Sequence, residues 1–388
     1  MEDKNYSQEL AEIRKQINEH DRESMKILFR RLELAKKVGA IKRENSTPIT
    51  DMEREMTVIR ETQQLFDDAM KHKVESIMNT IMRISRETQY EILYENDTQW
   101  ELGEQIESAV KDIIPPGRVA CLGKSGSYSH LTAARIFPEA HLIAVQTFGE
   151  TFQKVVRGDC EYAILPLDNT TAGTVNDVYD LLAATSVYII KSVSVPINHK
   201  LIFLKDSNID MIKTVISHPQ ALAQCSRFIR KMGWAAISVE NTAYAVQQMM
   251  EQKDPSICAI ASNEAAIINE LTVSDEHICD SVHNQTRFVA ISNTLTITNA
   301  ADRISIAFHL PHQSGSLASV LNLFAERGLN LTKIQSRPVP ERPWEYSFLV
   351  DLTAKQGDKD AILALYQLYK ELPYLKLIGW YDETAIII

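Results

Sequence analysis

The chain has 388 residues, 45% apolar and 24% charged, which is too long for one ordinary core and too apolar for disorder, so two or three globular domains are expected. A formal net charge of −10 excludes the basic footprint of a nucleic-acid binder. Five scattered cysteines (Cys121, Cys160, Cys225, Cys258, Cys279) without a CxxC pair read as reduced thiols. With no signal-peptide pattern and no apolar run of about 20 residues, a soluble, cytoplasmic protein without membrane contact is expected.

From about residue 7 to 113 glycine is almost absent and the apolar positions Leu10, Ile13, Ile17, Leu28, Ala35 and Val38 keep helical spacing. The stretch 45–50 (NSTPIT) breaks the pattern, because Pro48 cannot sit inside a helix, and Thr50 with Glu53 predicts a capping box for a second helix. A third helical stretch is predicted over 73–112. First and third helices of about 35 to 40 residues would each span about 50 to 60 Å, too long to fold back within a compact monomer. Such length predicts an intertwined helical dimer.

The segment 114–117 (IPPG) marks a boundary, and beyond it short apolar runs alternate with polar loops and helices. Strands are predicted at 118–122, 162–167, 187–193, 213–216, 257–261 and 288–291, giving an α/β domain with a largely parallel sheet. A second boundary falls near 298–302. The tail then reads strand 304–310, helix 316–327, strand 329–336, strand 346–352, helix 360–371 and strand 375–381, the βαββαβ order of a ferredoxin-like fold. The predicted domains are 1–114, 117–297 and 302–388.

In the helical domain Arg31 and Lys42 are eleven residues apart, about three turns, and share a face, whereas Arg14 lies on another. Asp51 and Glu55 in the second helix, and Ser85 and Gln89 in the third, are spaced i to i+4. A solvated helix surface accounts for any one of these groups alone. Their combination in the segments 12–17 (EIRKQI), 30–42 (RRLELAKKVGAIK), 48–55 (PITDMERE) and 85–89 (SRETQ) resembles the all-helical class of chorismate mutases. The resemblance implies a unimolecular pericyclic rearrangement of chorismate to prephenate, which needs orientation and charge stabilisation rather than a nucleophile, cofactor or metal. It further implies that Arg31, and Arg14 from the partner protomer, clamp the carboxylates, with Arg54 and Ser85 completing that site. Lys42 and Gln89 donate to the breaking ether oxygen, and Glu55 and Asp51 hold the ring hydroxyl.

In the α/β domain, 123–134 (GKSGSYSHLTAA) is a glycine-containing turn at a helix start, able to hold an anion but lacking the spacing of a nucleotide-binding loop. Polar loops recur after the strands ending near Asp168 and Ser217, where open α/β sheets bind ligands, although ordinary helix capping would give the same pattern. Together with 168–182 (DNTTAGTVNDVYDLL), 217–220 (SHPQ) and 286–288 (TRF), these segments resemble prephenate dehydratases. That family implies two α/β lobes with a cleft between, like the periplasmic binding proteins, and loss of carbon dioxide and hydroxide from prephenate. By the resemblance Thr286 lies nearest the departing hydroxyl. Asn169, Thr170, Thr171, Ser217 and Gln224 would form the polar pocket, with Arg287 and Phe288 beside it. Asp168 stands where most of the family has glutamate. His218, His277, Cys279 and His283 fit no familiar metal spacing, so no metal is expected.

The tail resembles ACT domains, which bind amino acids and dimerise. Gly315, Ser316 and Leu317, with Gln335, Ser336, Arg337 and Pro338, match that family's phenylalanine-binding motifs, except that Gln335 replaces glutamate. L-phenylalanine is therefore the expected allosteric inhibitor, chorismate and prephenate the expected substrates, and a homodimer or homotetramer the expected assembly. Two other readings stay open: a chain with only one active catalytic domain, and a non-catalytic amino-acid-sensing binding protein.

Overall fold

The computed structural model describes residues 2–387 apart from Asn96, Thr98, Val282, Pro311, Ser314 and 340–345. The chain divides into two compact units: Met1–Glu104 with Gln313–Gly328 and Lys359–Leu372, and Gln105–His312 with Leu329–Asp358 and Pro373–Ile388.

The first segment is helical: α1 (Glu2–Glu44), α2 (Met52–Gln63), α3 (Asp68–Tyr94) and the short α4 (Glu101–Glu107). At 43 residues α1 is as long as its unbroken pattern predicts, and it ends with Lys42 and Arg43 against the negative end of its dipole. Two expectations are corrected here. The cap of α2 is Asp51, whose side chain accepts the Arg54 amide at 3.0 Å; Thr50 instead lies 3.4 Å from the Tyr90 hydroxyl. The third helix stops at Tyr94 because Asp97 turns its carboxylate onto the Gln99 amide at 3.0 Å, a local bond that competes with helix propagation. Along α1, Ile13, Ile17, Ile27, Phe29, Leu34, Val38 and Ile41 are exposed.

In the second unit, β1 (Arg118–Leu122), β2 (His141–Val145) and β3 (Tyr162–Asn169) are parallel, joined through α5 (Tyr128–Ile136) and α6 (Phe148–Val156). Gly173 adopts φ +81°, which turns the chain into β4 (Gly173–Thr174) and back along β3. Next come α7 (Asn176–Ala184) and β5 (Tyr188–Pro196). The second lobe contains β6 (Lys200–Phe203), β7 (Thr214–Ser217), α8 (Pro219–Gln224), α9 (Ser226–Met232) and β8 (Ala235–Ser238). It continues with α10 (Thr242–Gln252), β9 (Ile257–Ala261), α11 (Asn263–Ile268) and β10 (Thr272–Val273). Its sheet runs β10-β6-β9-β7-β8. The chain then returns to the first lobe as β11 (Gln285–Ser292), antiparallel to both β3 and β5. Each lobe is therefore mixed rather than largely parallel, because the chain crosses between lobes twice and must enter and leave each sheet in opposite directions.

The tail supplies β12 (Arg303–His309), α12 (Ser316–Glu326), β13 (Asn330–Pro338), β14 (Tyr346–Thr353), α13 (Lys359–Glu371) and β15 (Tyr374–Ala385). All six predicted elements are present, and the antiparallel order β13-β14-β12-β15 is the ferredoxin-like one. The four strands belong to the second unit and the two helices to the first. Beyond the tail sheet β15 continues, pairing in parallel with β5 from Asp382 against Lys191 to Ala385 against Ser194. Gly379 is required in this strand, since a Cβ there would overlap the Ile189 carbonyl oxygen. One apolar core joins Leu165, Leu167, Val178 and Leu182 to Ala307, Leu349, Ile378 and Tyr381.

Candidate functional site

In the first unit α1 and α3 lie close together because Gly39 has no side chain: a Cβ there would sit 3.1 Å from the Gln89 Cα. Along this groove Arg31 donates to Ser85 Oγ and, at 3.3 Å, to Met82 Sδ. Ser85 donates onward to the Ile81 carbonyl at 2.6 Å. Gln89 is buried and donates to the Ser85 carbonyl at 3.1 Å, and its Oε1 has no hydrogen-bond partner among the described residues. Lys42 reaches the Ile49 carbonyl at 2.6 Å. Burial lowers the Arg31 pKa from its ordinary value, against the opposing charge of Glu55. The structure thus brings Arg31, Glu55, Ser85 and Gln89 together, with Lys42 about three turns along α1 from Arg31.

Three other predicted residues stand apart from it. Asp51 is committed to capping α2, and the Arg54 side chain is exposed. Arg14 is 17 residues before Arg31, about 25 Å along the same helix, and is exposed. Arg86 was missed by the sequence reading. It bonds Glu55 at 2.5 Å and lies 3.6 Å from Glu371 of α13. Burial raises the Glu371 pKa, with Arg86 opposing. Tyr366 of α13 also donates to Asp97 at 2.8 Å and meets Tyr94 and Trp100 edge to face, both with ring centroids at 5.3 Å. Arg86 stands inside the SRETQ segment, and only its i+3 separation from Gln89 hinted at a role.

In the second unit the C-terminal end of β3 faces the first turn of β11, with Thr286 opposite Asn169 and Arg287 opposite Asp168. Neighbouring residues on a strand point to opposite faces, so these two pairs serve different surroundings. On one face the Asn169 amide donates to Thr286 Oγ1 at 2.9 Å, to Asn284 Oδ1 at 2.8 Å and to the Gln285 carbonyl at 3.1 Å. Its oxygen accepts from the Thr171 amide at 2.9 Å, the Thr171 hydroxyl at 2.7 Å and the Ala172 amide at 2.8 Å. All the hydrogen-bonding capacity of Asn169 is used, which fixes its orientation. Because Asn169 donates into the Thr286 oxygen, the threonine keeps its own proton for another acceptor.

Gln224, at the end of α8 in the other lobe, donates to Thr171 Oγ1 at 2.7 Å. His199, in the first crossing between lobes, lies 2.9 Å from the Gln224 oxygen and holds that amide in place. Burial lowers the His199 pKa, with Gln224 opposing. His199 was also missed; an isolated histidine outside any motif gave no signal. Thr170 is tied to the second crossing, donating to the His283 carbonyl at 3.1 Å and accepting the Gln285 amide at 2.9 Å. Ser217 is fully buried and donates to the Ile260 carbonyl at 2.6 Å, away from this network. Phe288 packs in the core with Val119 and Tyr162. His218 caps α8 by accepting the Gln220 amide at 3.2 Å. Among the described residues no three His, Cys, Asp or Glu side chains gather as metal ligands, and no helix is long and apolar enough to cross a membrane.

On the opposite face Asp168 meets Arg287 at 3.0 Å, the Tyr179 hydroxyl at 3.1 Å and Lys333 of β13. Arg287 also pairs with Asp351 of β14 at 2.7 Å and Glu383 of β15 at 3.5 Å. Burial opposes its charge, yet Tyr381, Asp351, Tyr179 and Asp168 together raise the Arg287 pKa above its ordinary value. The predicted motif at 335–338 lies on the same tail strand. Gln335 donates to Asn176 Oδ1 at 2.6 Å and Arg337 to Asp180 at 2.7 Å, while Ser336 and Pro338 are exposed. Gly315 starts α12 with φ +84°, Ser316 donates to the Gln313 carbonyl at 2.9 Å, and Leu317 is half-buried.

Residues 13–90 match the family model of chorismate mutase type II, residues 119–295 that of prephenate dehydratase and residues 304–368 that of the ACT domain. The chain is 31% identical over 382 residues to a bifunctional chorismate mutase/prephenate dehydratase of Aquifex aeolicus, covering 98% of this chain and 99% of that one. It is 29% identical to the protein of the same description from Escherichia coli K12, covering 97% of each. Among solved structures, the prephenate dehydratase of Arthrobacter aurescens in complex with L-Phe is similar at a TM-score of 0.63 and 26% identity, over 68% of this chain and 89% of that one.

Proposed function

Because the chain belongs to the family of bifunctional chorismate mutase/prephenate dehydratases, we propose that it converts chorismate to prephenate in its helical domain and prephenate to phenylpyruvate between its two α/β lobes, successive steps of phenylalanine biosynthesis. The observation that carries the second reaction is the Thr286 hydroxyl, hydrogen-bonded by Asn169 and left with a free proton. Prephenate loses carbon dioxide and its ring hydroxyl together as the ring becomes aromatic. The electron pair of the breaking carbon–carboxylate bond enters the ring and the carbon–oxygen bond breaks, so the departing oxygen needs a hydrogen-bond donor or a proton. Thr286 supplies that donor, and Asn169, held in turn by Thr171 and Gln224, keeps the hydroxyl aimed.

In the helical domain the reaction is unimolecular, and the protein's task is to hold a compact conformer and stabilise charge on the ether oxygen. Arg31, with Ser85 behind it, binds a substrate carboxylate; Lys42 and Gln89 donate to the ether oxygen; Glu55 holds the ring hydroxyl. Arg14 of a second copy, with Arg54 and Asp51 at the rim, completes the site. A homodimer is supported by the row of exposed apolar residues from Ile13 to Ile41 on α1, which a monomer leaves in water. The proposed domains are 1–114, 117–297 and 302–388.

The tail senses L-phenylalanine through Gly315 to Leu317 and Gln335 to Pro338, and inhibits the pathway that makes it. Five free cysteines suit the reducing cytoplasm in which these steps are proposed to occur. Purified chain supplied with chorismate should yield prephenate and then phenylpyruvate, with less of both when phenylalanine is added. Failure to produce either compound from chorismate sinks the corresponding assignment.

A further inference from the structure

Asp168 and Arg287 lie on the face of the β3–β11 ribbon turned away from the Asn169–Thr286 pair, and Asp168, with Thr174 of β4, meets a lysine from the tail. Lys333 Nζ bonds Asp168 on β3 and Thr174 Oγ1 on β4, the latter at 3.0 Å, and lies 4.4 Å from the centre of the Tyr179 ring. Asp168 and Thr174 are cross-strand partners, so one ammonium group joins both strands of a hairpin. The tip of that hairpin carries Asn169, Thr170 and Thr171, the residues that aim Thr286 and reach Gln224.

We propose that Lys333, from the regulatory tail, is a positioning residue for dehydration: by clasping Asp168 and Thr174 it fixes the hairpin that presents Asn169 and Thr171. The inference rests on the dehydratase reading and deepens it by assigning the dehydratase site a part from outside its own domain. The charges support it. Arg287 pairs with Asp168, Asp351 and Glu383, and Lys333, which shares Asp168 with it, is the cation that also reaches the second strand of the hairpin. The interaction also accounts for aspartate at 168. Its short side chain is held between Arg287 at 3.0 Å and Lys333, and it has no place in the Asn169–Thr286 network.

The test uses the full chain and the variants Lys333→Met, Lys333→Arg, Asp168→Asn and the Lys333→Met/Asp168→Asn pair, assayed separately with chorismate and prephenate. Lys333→Met should lower dehydratase kcat by about 10- to 100-fold, the scale on which small misplacements of a reacting group act, with KM changed less than about threefold. Mutase activity in the same preparation should be unchanged, and an unchanged urea-unfolding midpoint should report that the second unit is folded. Lys333→Arg should recover most of the lost turnover. The double variant should lose no more than the worse single one, since both substitutions break the same contact. A wild-type kcat in Lys333→Met, or losses that multiply in the double variant, overturns the inference while leaving the dehydratase reading in place. A wild-type chain that makes prephenate but no phenylpyruvate overturns that reading, and this inference with it.

Discussion

Thr286 Oγ1 accepts a hydrogen bond from Asn169 at 2.9 Å across paired strands, although the residues are 117 positions apart in the chain. Thr286→Val keeps the branched shape and removes the hydroxyl. Dehydratase turnover should fall by about 10²- to 10³-fold, within the range for losing a positioned proton donor, and prephenate should accumulate from chorismate. Comparing the two products by chromatography checks this; wild-type phenylpyruvate formation would remove Thr286 from the mechanism.

Lys42 reaches the Ile49 carbonyl at 2.6 Å and lies about three turns along α1 from Arg31. If it stabilises charge that develops only in the transition state, Lys42→Met should cost about 10²- to 10³-fold in mutase kcat with little change in KM. A variant that raises KM alone would make Lys42 a binding residue instead.

Arg287 has three carboxylates within 3.5 Å: Asp168, Asp351 and Glu383. Removing a buried cation leaves its partners uncompensated, so Arg287→Met should destabilise the second unit by about 3 to 5 kcal/mol. Urea titration followed by tryptophan fluorescence measures it. A loss of dehydratase activity without any shift of the unfolding midpoint would instead argue that Arg287 touches substrate.

A hydrogen bond from the Cys225 thiol lowers the Cys279 pKa below that of an ordinary thiol, while burial raises those of Cys121, Cys160 and Cys258. The thiolate is the reactive form, and it is populated above the folded-state pKa. Alkylation at Cys279 should therefore set in at lower pH than at an ordinary thiol and precede reaction at the other four, as peptide mass spectrometry would resolve. A rate still climbing steeply at pH 9 would place the thiol near its ordinary value.

Much of this was readable before any coordinates. Strands and helices of the tail lie within a few residues of their predicted limits, because period-2 and helical spacings are strong there and glycines and prolines mark the turns. The family resemblance put Asn169 and Thr286 in one pocket, but not their pairing across antiparallel strands. What motif reading misassigned was direction. Thr286, Arg287 and Phe288 are consecutive on a strand and cannot all face one cavity: the first turns to the cleft network, the second to the tail and the third to the core. His199 and Lys333 carried no local pattern, since their roles arise from partners 25 and 165 residues away. The stop of α3 at Tyr94 had a signal that went unread, the Asn-Asp-Thr stretch at 96–98, whose short polar side chains compete with helix propagation.

The parallel pairing of β15 with β5 bears on how such an enzyme could be freed from feedback. Cutting the chain before β12 would strip the backbone partners from Lys191 to Ser194 and bare Leu165, Val178 and Leu182, which pack with Ala307, Leu349, Ile378 and Tyr381. An uncovered strand edge beside an apolar face is an aggregation template. A shortened protein should therefore fail by precipitation before its regulation can be judged. Overproducing strains would need full-length chains with single changes in the motif proposed to sense phenylalanine.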